Sequence, residues 1–502
     1  MFGVNSPDSA AYLYLGESII YDGKLFIEGW EHIDIGLILP PVFPFLIGVG
    51  NFFMDPVLFA SFINTFCISC AVILLMAYVV EISSTENSLI FCLIVQLNWV
   101  FAYFGSSILT EGVFIFILSV NFILALKVIE RGRGSIAFIL GLTSATLFLT
   151  RHIGIFFFIV FLGYLILYNF QKKIIIYLLV GFNTIFIPYS IALYEQTGEV
   201  LTSQRFRLNK YVVKTSKKKD IKIISSYSEL IENRRRLRKL LVDSSEMEGY
   251  TISIDTKKSG FRVDDYAVNL YKNIIYILDL NGNLFFVCFI LSIISSFSLK
   301  INNFFDECRK ILSLCIIFYF IFVSFFSGLI GRYVYVIFPF AVVVVVCEFY
   351  YIFRYFNLKI NTFLCWFFCL GLILLFSLNN AFFEVKMTRK SAKESDPLFL
   401  CKKIINKNDP IFSFHPGHAY ILGGVFRVIP NDSLEKVIKY AKKTGVKWLV
   451  IDESNNMYYE ESLYKNIDWI KSKKIDFYKA INKRCIVKLK GGENLISVYE
   501  VK

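Results

Sequence analysis

Long apolar runs of Ile, Leu, Phe and Val alternate along this chain with short polar stretches, and the charged residues gather between the runs. A spanning helix needs about 20 mostly apolar residues. Runs of that kind fall at 56–80, 88–105, 112–129, 135–150, 153–170, 174–194, 284–299, 311–329, 333–353 and 362–383. Arg151-His152 splits 135–150 from 153–170, which predicts a helical hairpin. Residues 37–53 carry Pro40, Pro41 and Pro44, which lack backbone donors, so a juxtamembrane helix, or one that only dips into the bilayer, is expected there.

After residue 385 the pattern changes. Ile411–Phe414 is a short apolar run, and Val446–Ile451 reads as a buried strand. Leu434, Val437, Ile438 and Ala441 have helical spacing, with Asp432 or Ser433 as cap and Gly445 as stop. Cys485–Leu489 and Leu495–Val501 flank Gly491-Gly492-Glu493-Asn494 and predict a hairpin. The expected architecture is a polytopic α-helical membrane domain over 1–385 and a small extracytoplasmic α/β domain over 386–502.

Orientation follows from Lys and Arg in short loops, which favour the cytoplasmic side. Lys127, Arg131 and Arg133; Lys172 and Lys173; Lys300, Arg309 and Lys310; and Arg354 and Lys359 all fall on one side of a ten-span arrangement. The opposite, outer side then holds residues 1–55, Glu111, Arg151, the long 196–283 loop, Arg332 and the tail. An outer N-terminus with no signal peptide predicts a first spanning helix upstream of Met1, or else a chain that inserts with its N-terminus out.

Composition agrees with the runs: 56% of the 502 residues are hydrophobic, only 19% are charged, and the mean hydropathy is +0.58. The net charge of +13 does not indicate nucleic acid, because the basic residues flank apolar runs, where anionic head groups are the nearer partner. Most of the 11 cysteines lie inside apolar segments and show no zinc-ligand pattern. Cys401 and Cys485 lie in the tail, as a disulfide or as two free thiols. No Walker loop, HExxH or GxSxG occurs.

Four polar positions stand out at the lips of the runs. Ser6-Pro7-Asp8-Ser9 opens a helix ending near Gly23; Asp8 either complements the helix dipole or serves as a general base at the membrane surface. Glu111 precedes an unbroken apolar helix and sits either in a capped first turn or in a functional site. Arg151 and Arg332 are isolated on the outer side, either snorkelling to head groups or binding a lipid phosphate with their planar forks. His415-Pro416-Gly417-His418 has near-metal spacing without further ligands, and reads as a polar loop.

In this order the motifs resemble the GT-C superfamily of membrane glycosyltransferases, nearest its protein O-mannosyltransferase, aminoarabinose-transferase and Rgt-like branches. Pro7-Asp8-Ser9-Ala10-Ala11-Tyr12 is similar to the family's acidic first-loop motif, and Pro40-Pro41-Val42-Phe43-Pro44 to its P-P-x-x-P. Thr110-Glu111, Thr150-Arg151 and Arg332-Tyr333 through Pro339 are similar to three later motifs. The resemblance implies inverting transfer of a sugar from a polyprenyl-phosphate donor to an extracytoplasmic glycan, lipid or protein acceptor, in the plasma membrane. It implies Asp8 and Glu111 as catalytic residues, Arg151 and Arg332 on the donor phosphate, and Tyr12 and Tyr333 as substrate-positioning residues, with the 196–283 loop as a lid. Ser9 stands where many members have a second carboxylate, which leaves open Glu17, Asp22 or Glu111 in that role, and leaves a divalent metal open as cofactor. Two other classes compete: a lipid or solute transporter, which would show repeats and mid-helix charges, and a non-catalytic scaffold.

Overall fold

A computed structural model describes residues 7–27, 39–96, 98–197, 212–215, 218–223, 290, 292–295, 310–319, 336–355, 401–406, 408–413, 416–429, 434–452, 481–488 and 495–502. Their contacts divide into two units. One is helical and begins at Pro40; the other joins the N-terminal helix to the C-terminal sheet.

The helical unit follows the apolar runs. Its elements are α2 (Val42–Gly50), α3 (Pro56–Ile82), α4 (Thr85–Gln96), α5 (Trp99–Ser106), α6 (Glu111–Arg131), α7 (Gly134–Thr150), α8 (Ile155–Leu167), α9 (Lys172–Thr197), α10 (Lys310–Tyr319) and α11 (Phe338–Tyr355). Pro56–Ile82, Glu111–Arg131 and Lys172–Gln196 are each long and apolar enough to cross a bilayer. Asp55 caps α3, accepting from the backbone N–H of Val57 at 2.9 Å and of Leu58 at 3.1 Å. The α6 helix ends on Gly132 at φ 59°, a left-handed stop that glycine adopts without strain.

The run at 88–105 is not one span: α4 and α5 are separate helices on either side of buried Asn98, a residue type that favours helix N-caps. The sequence reading also passes over Cys67-Ile68-Ser69-Cys70, a C-x-x-C inside α3 whose two thiols are free. Nor do all charges lie at helix rims. Glu348, inside α11, is fully buried, and the Ser295 hydroxyl donates to its Oε2 at 2.8 Å, which offsets part of the cost of burial.

The core of this unit is aromatic and aliphatic. Phe91, Phe104, Phe114, Leu75 and Val346 are fully buried in one cluster that joins α3, α4, α5, α6 and α11. Helices α7 and α9 run side by side in the same direction, and an added Cβ on Gly141 would lie 2.2 Å from the Leu178 carbonyl oxygen. Only glycine permits that approach.

The second unit contains α1 (Pro7–Glu17), extended by a π-helical turn at Ser18–Asp22 and stopped by Gly23 at φ 66°. A two-stranded antiparallel ribbon, β1 (Val212–Thr215) and β2 (Lys218–Ile223), is also described. The C-terminal sheet has the order β4-β3-β5-β7-β6, with β3 at Pro410–Ser413, β4 at Val425–Val428, β5 at Trp448–Asp452, β6 at Ile481–Lys488 and β7 at Leu495–Val501. Its first three strands are parallel, and β7 is antiparallel to both β5 and β6. Two helices connect the parallel strands: α12 (Pro416–Leu422) and α13 (Leu434–Lys443). The helix α13 buries Leu434, Val437, Ile438 and Ala441 against Phe412, Leu449 and Tyr499. Cys401 is disulfide-bonded.

Candidate functional site

The helical unit brings two of the singled-out residues together. Arg151 Nη1 donates to Glu111 Oε1 at 2.6 Å, with Glu111 only 1% exposed and Arg151 8%. The sequence places both residues at helix ends. Thr110 precedes α6, and Glu111 is its first residue, so the carboxylate sits at the positive end of the helix dipole. Arg151 follows α7 in an extended conformation (φ −151°, ψ 129°), so its cation sits at the negative end of that helix. The Arg151 guanidinium also lies 5.8 Å from the centre of the Phe114 ring, one turn beyond Glu111. Gly154 allows the following 3-10 turn to fold back tightly, because an added Cβ there would lie 2.7 Å from the Leu147 carbonyl oxygen.

A second layer fixes the approach to Glu111. The last carbonyls of α5 and those of the non-helical stretch 107–110 have no partner within a helix, so they need partners from elsewhere. They find them on one face of α3. Asn64 Nδ2 donates to the carbonyls of Ser107 at 2.9 Å and Leu109 at 2.7 Å. Ser61 Oγ donates to the Ser106 carbonyl at 3.2 Å, and Thr65 Oγ1 to that of Gly105 at 3.0 Å. Positions 61, 64 and 65 follow the i, i+3, i+4 rule for one helix face. Deeper in the unit, Asn121 of α6 donates to Thr143 Oγ1 at 3.1 Å and Ser144 Oγ at 2.9 Å on α7. Sequence reasoning missed all of these residues; isolated polar positions at helical spacing inside apolar runs were the available signal.

Asp8 and Tyr12 belong to the other unit, on α1, with Asp8 half-buried in the first turn and Tyr12 7% exposed. Arg332 and Tyr333 lie outside the described residues, as does His415. His418 stands on α12. Among the described residues no three His, Cys, Asp or Glu side chains gather as metal ligands, and no step below is routed through a metal.

No family model matches this chain, and no curated protein matches it. Solved structures do. ArnT from Cupriavidus metallidurans bound to undecaprenyl phosphate is similar at TM-score 0.53 and 9% identity, over 99% of this chain and 95% of that one. The oligosaccharyltransferase of Archaeoglobus fulgidus in its apo form is similar at TM-score 0.51 and 11% identity, over 90% of this chain and 66% of that one. The Archaeoglobus fulgidus oligosaccharyltransferase AglB with an inhibitory peptide and dolichol-phosphate is similar at TM-score 0.50 and 12% identity, over 98% of this chain and 70% of that one. The likeness runs through nearly the whole chain, from helices to tail, and this chain shares the fold of those proteins.

Proposed function

We propose that this protein transfers a sugar from a polyprenyl-phosphate-linked donor to an extracytoplasmic acceptor (a glycan, lipid or protein), with inversion. The observation that carries the reading is the buried Glu111–Arg151 pair at the shared end of α6 and α7 in a GT-C fold. The ArnT structure holds undecaprenyl phosphate and the AglB structure dolichol-phosphate, which supports a lipid phosphate as the donor's leaving group.

The chemistry needs three things. The acceptor hydroxyl attacks the anomeric carbon and loses its proton, which passes to the Asp8 carboxylate as general base. The bond from the anomeric carbon to the phosphate oxygen breaks, and its electron pair stays on that oxygen. The leaving phosphate gains charge, which Arg151 and Arg332 stabilise, while Glu111 holds the Arg151 guanidinium in one orientation. Tyr12 is assigned to positioning the sugar, as is Tyr333; Tyr333 and most of the 196–283 loop, the candidate lid, lie outside the described residues. Residues 386–502 are the extracytoplasmic α/β domain in this reading. Its disulfide at Cys401 supports an oxidising compartment, and Cys485, the other cysteine of 386–502, is the partner in this reading.

The test uses membranes containing the full chain and a radiolabelled polyprenyl-phosphate sugar. Label passes from lipid to an acceptor fraction with the native chain, and about a hundredfold more slowly with Asp8→Asn. Undiminished transfer by Asp8→Asn removes Asp8 from the mechanism, and a native chain that moves no polyprenyl-linked sugar ends the proposal.

A further inference from the structure

We infer that the C-terminal sheet domain is a working part of the active site: it holds α1, and with it Asp8, in position through Tyr14. This inference rests on the function proposed above, and it reassigns a segment that the sequence presents as a separate appendage.

The helix α1 is buried on successive positions: Ala10 at 0%, Ala11 at 5%, Tyr12 at 7% and Leu13 at 1% exposure, with Leu15 at 0%. Consecutive residues point in different directions around a helix, so protein surrounds α1 rather than leaving one face on lipid or water. Part of that surround comes from the far end of the chain. Tyr14 Oη donates to the Gly424 carbonyl at 2.7 Å. The Tyr14 ring packs edge-on against Tyr420 of α12, centroids 5.0 Å apart at 89°. Tyr420 Oη in turn donates to Glu17 Oε1 at 3.3 Å.

Both partners are fixed. An added Cβ on Gly424 would lie 2.3 Å from Ile411 Cδ1 and 2.6 Å from the Asp409 carbonyl oxygen, so the sheet locks this glycine and its carbonyl in place. Burial, and then the nearby Glu17 carboxylate, push the Tyr14 phenol well above its usual range. Tyr14 therefore remains a donor at any physiological pH. Beyond Glu17 the chain is closed by Ser18 Oγ donating to the Phe26 carbonyl at 2.8 Å. Asp8 lies six residues before Tyr14 on the same helix, about 9 Å along the axis at about 1.5 Å per residue. Movement of the Tyr14 anchor is therefore carried directly to the carboxylate. A general base that must meet its proton within hydrogen-bond reach loses rate when its helix is free to shift.

The experiment compares Tyr14→Phe and Tyr420→Phe with the native full-length protein in lipid nanodiscs, by two independent readouts. Each variant keeps its ring and loses one hydroxyl. Amide exchange of residues 7–17 is expected to be protected in the native chain and faster in both variants, and this arm needs no transfer assay. Transfer kinetics with the lipid-linked donor are expected to show kcat reduced roughly five- to tenfold by Tyr14→Phe with the donor KM unchanged, the scale of one lost buried hydrogen bond. Adding Tyr14→Phe to Asp8→Asn should cost nothing more, because both act through one carboxylate. Unchanged exchange in both variants overturns the anchor. Faster exchange with native kcat, or fully additive losses with Asp8→Asn, overturns the positioning role. If the native chain moves no sugar while exchange responds as expected, the glycosyl-transfer reading has failed and the anchor has not.

Discussion

Replacing Arg151 by Met removes the cation and leaves Glu111, 1% exposed, without its ion-pair partner. At an effective dielectric of about 20, two unit charges about 4 Å apart attract by roughly 4 kcal/mol. Removing one member of a buried pair costs about 3–5 kcal/mol, because the other charge stays out of water. Arg151→Met should therefore destabilise the helical unit by an amount of that order. Glu111→Leu should cost somewhat less, since Arg151 keeps the Phe114 ring and the carboxyl end of α7. The double variant, Glu111→Leu with Arg151→Met, buries no charge and should return to within about 1 kcal/mol of the native protein. Denaturation of the purified proteins in one fixed detergent reads all four corners of this cycle. Transfer activity separates structure from mechanism: the double variant should be stable and inactive. A double variant as unstable as Arg151→Met means that the pair is not the source of the cost. A stable double variant that transfers sugar at the native rate means that the pair only joins α6 to α7.

Two further outcomes follow from groups outside the pair. Asn64→Leu removes both bonds that hold the Ser107 and Leu109 carbonyls and should lower kcat more than tenfold, while Asn121→Leu, farther along α6, should reduce stability with kcat retained; equal kcat losses in the two would refute the special place of Asn64. Burial raises the Asp409 carboxyl, but hydrogen bonds from Lys447 Nζ and Trp448 Nε1 and the Lys447 charge outweigh it and hold the group below its usual range. A depressed acid contributes stability that is present above its unfolded value near 3.8 and is lost as pH falls through the lower folded value. Acid unfolding of the sheet domain, followed by Trp448 fluorescence in the full chain, should therefore flatten below about pH 4 in Asp409→Asn.

The legible parts of the fold are those set by local pattern. Apolar runs at 112–129, 135–150 and 174–194 match α6, α7 and α9 closely, because burial in lipid demands an unbroken run of a given length. In the tail, the strand at 446–451, the helix ending before Gly445 and the antiparallel strands on either side of 491–494 all appear, while 491–494 lie outside the described residues. The elements α12 and β4 were not legible: seven and four residues hold too little periodicity to separate from a loop. At the site, Glu111 and Arg151 were visible one at a time as charges at the ends of apolar runs. Their pairing was not, because it spans 40 residues and depends on α6 and α7 lying side by side. The Ser61, Asn64 and Thr65 face was invisible for the same reason: its partners are backbone carbonyls about forty residues away, and a carbonyl has no sequence signature.

Among the described residues of the helical unit, the charges that pair across helices gather at one end. A transport path needs charged or broken-helix positions at mid-membrane depth that a solute can meet in turn. Halfway along α6 and α7, Asn121 bonds to Thr143 and Ser144 as helix-to-helix glue, while Ser119 and Thr146 donate to carbonyls of their own helices. Glu348 is met by Ser295 in the same manner. The charges that face each other across helices, Glu111 and Arg151, lie where α6 begins and α7 stops. The three polar residues of α3 support that same end, through the carbonyls that lead into Glu111. One end of the unit thus carries an oriented guanidinium, a carboxylate that fixes it and a braced loop, which suits the phosphate-holding role proposed for Arg151.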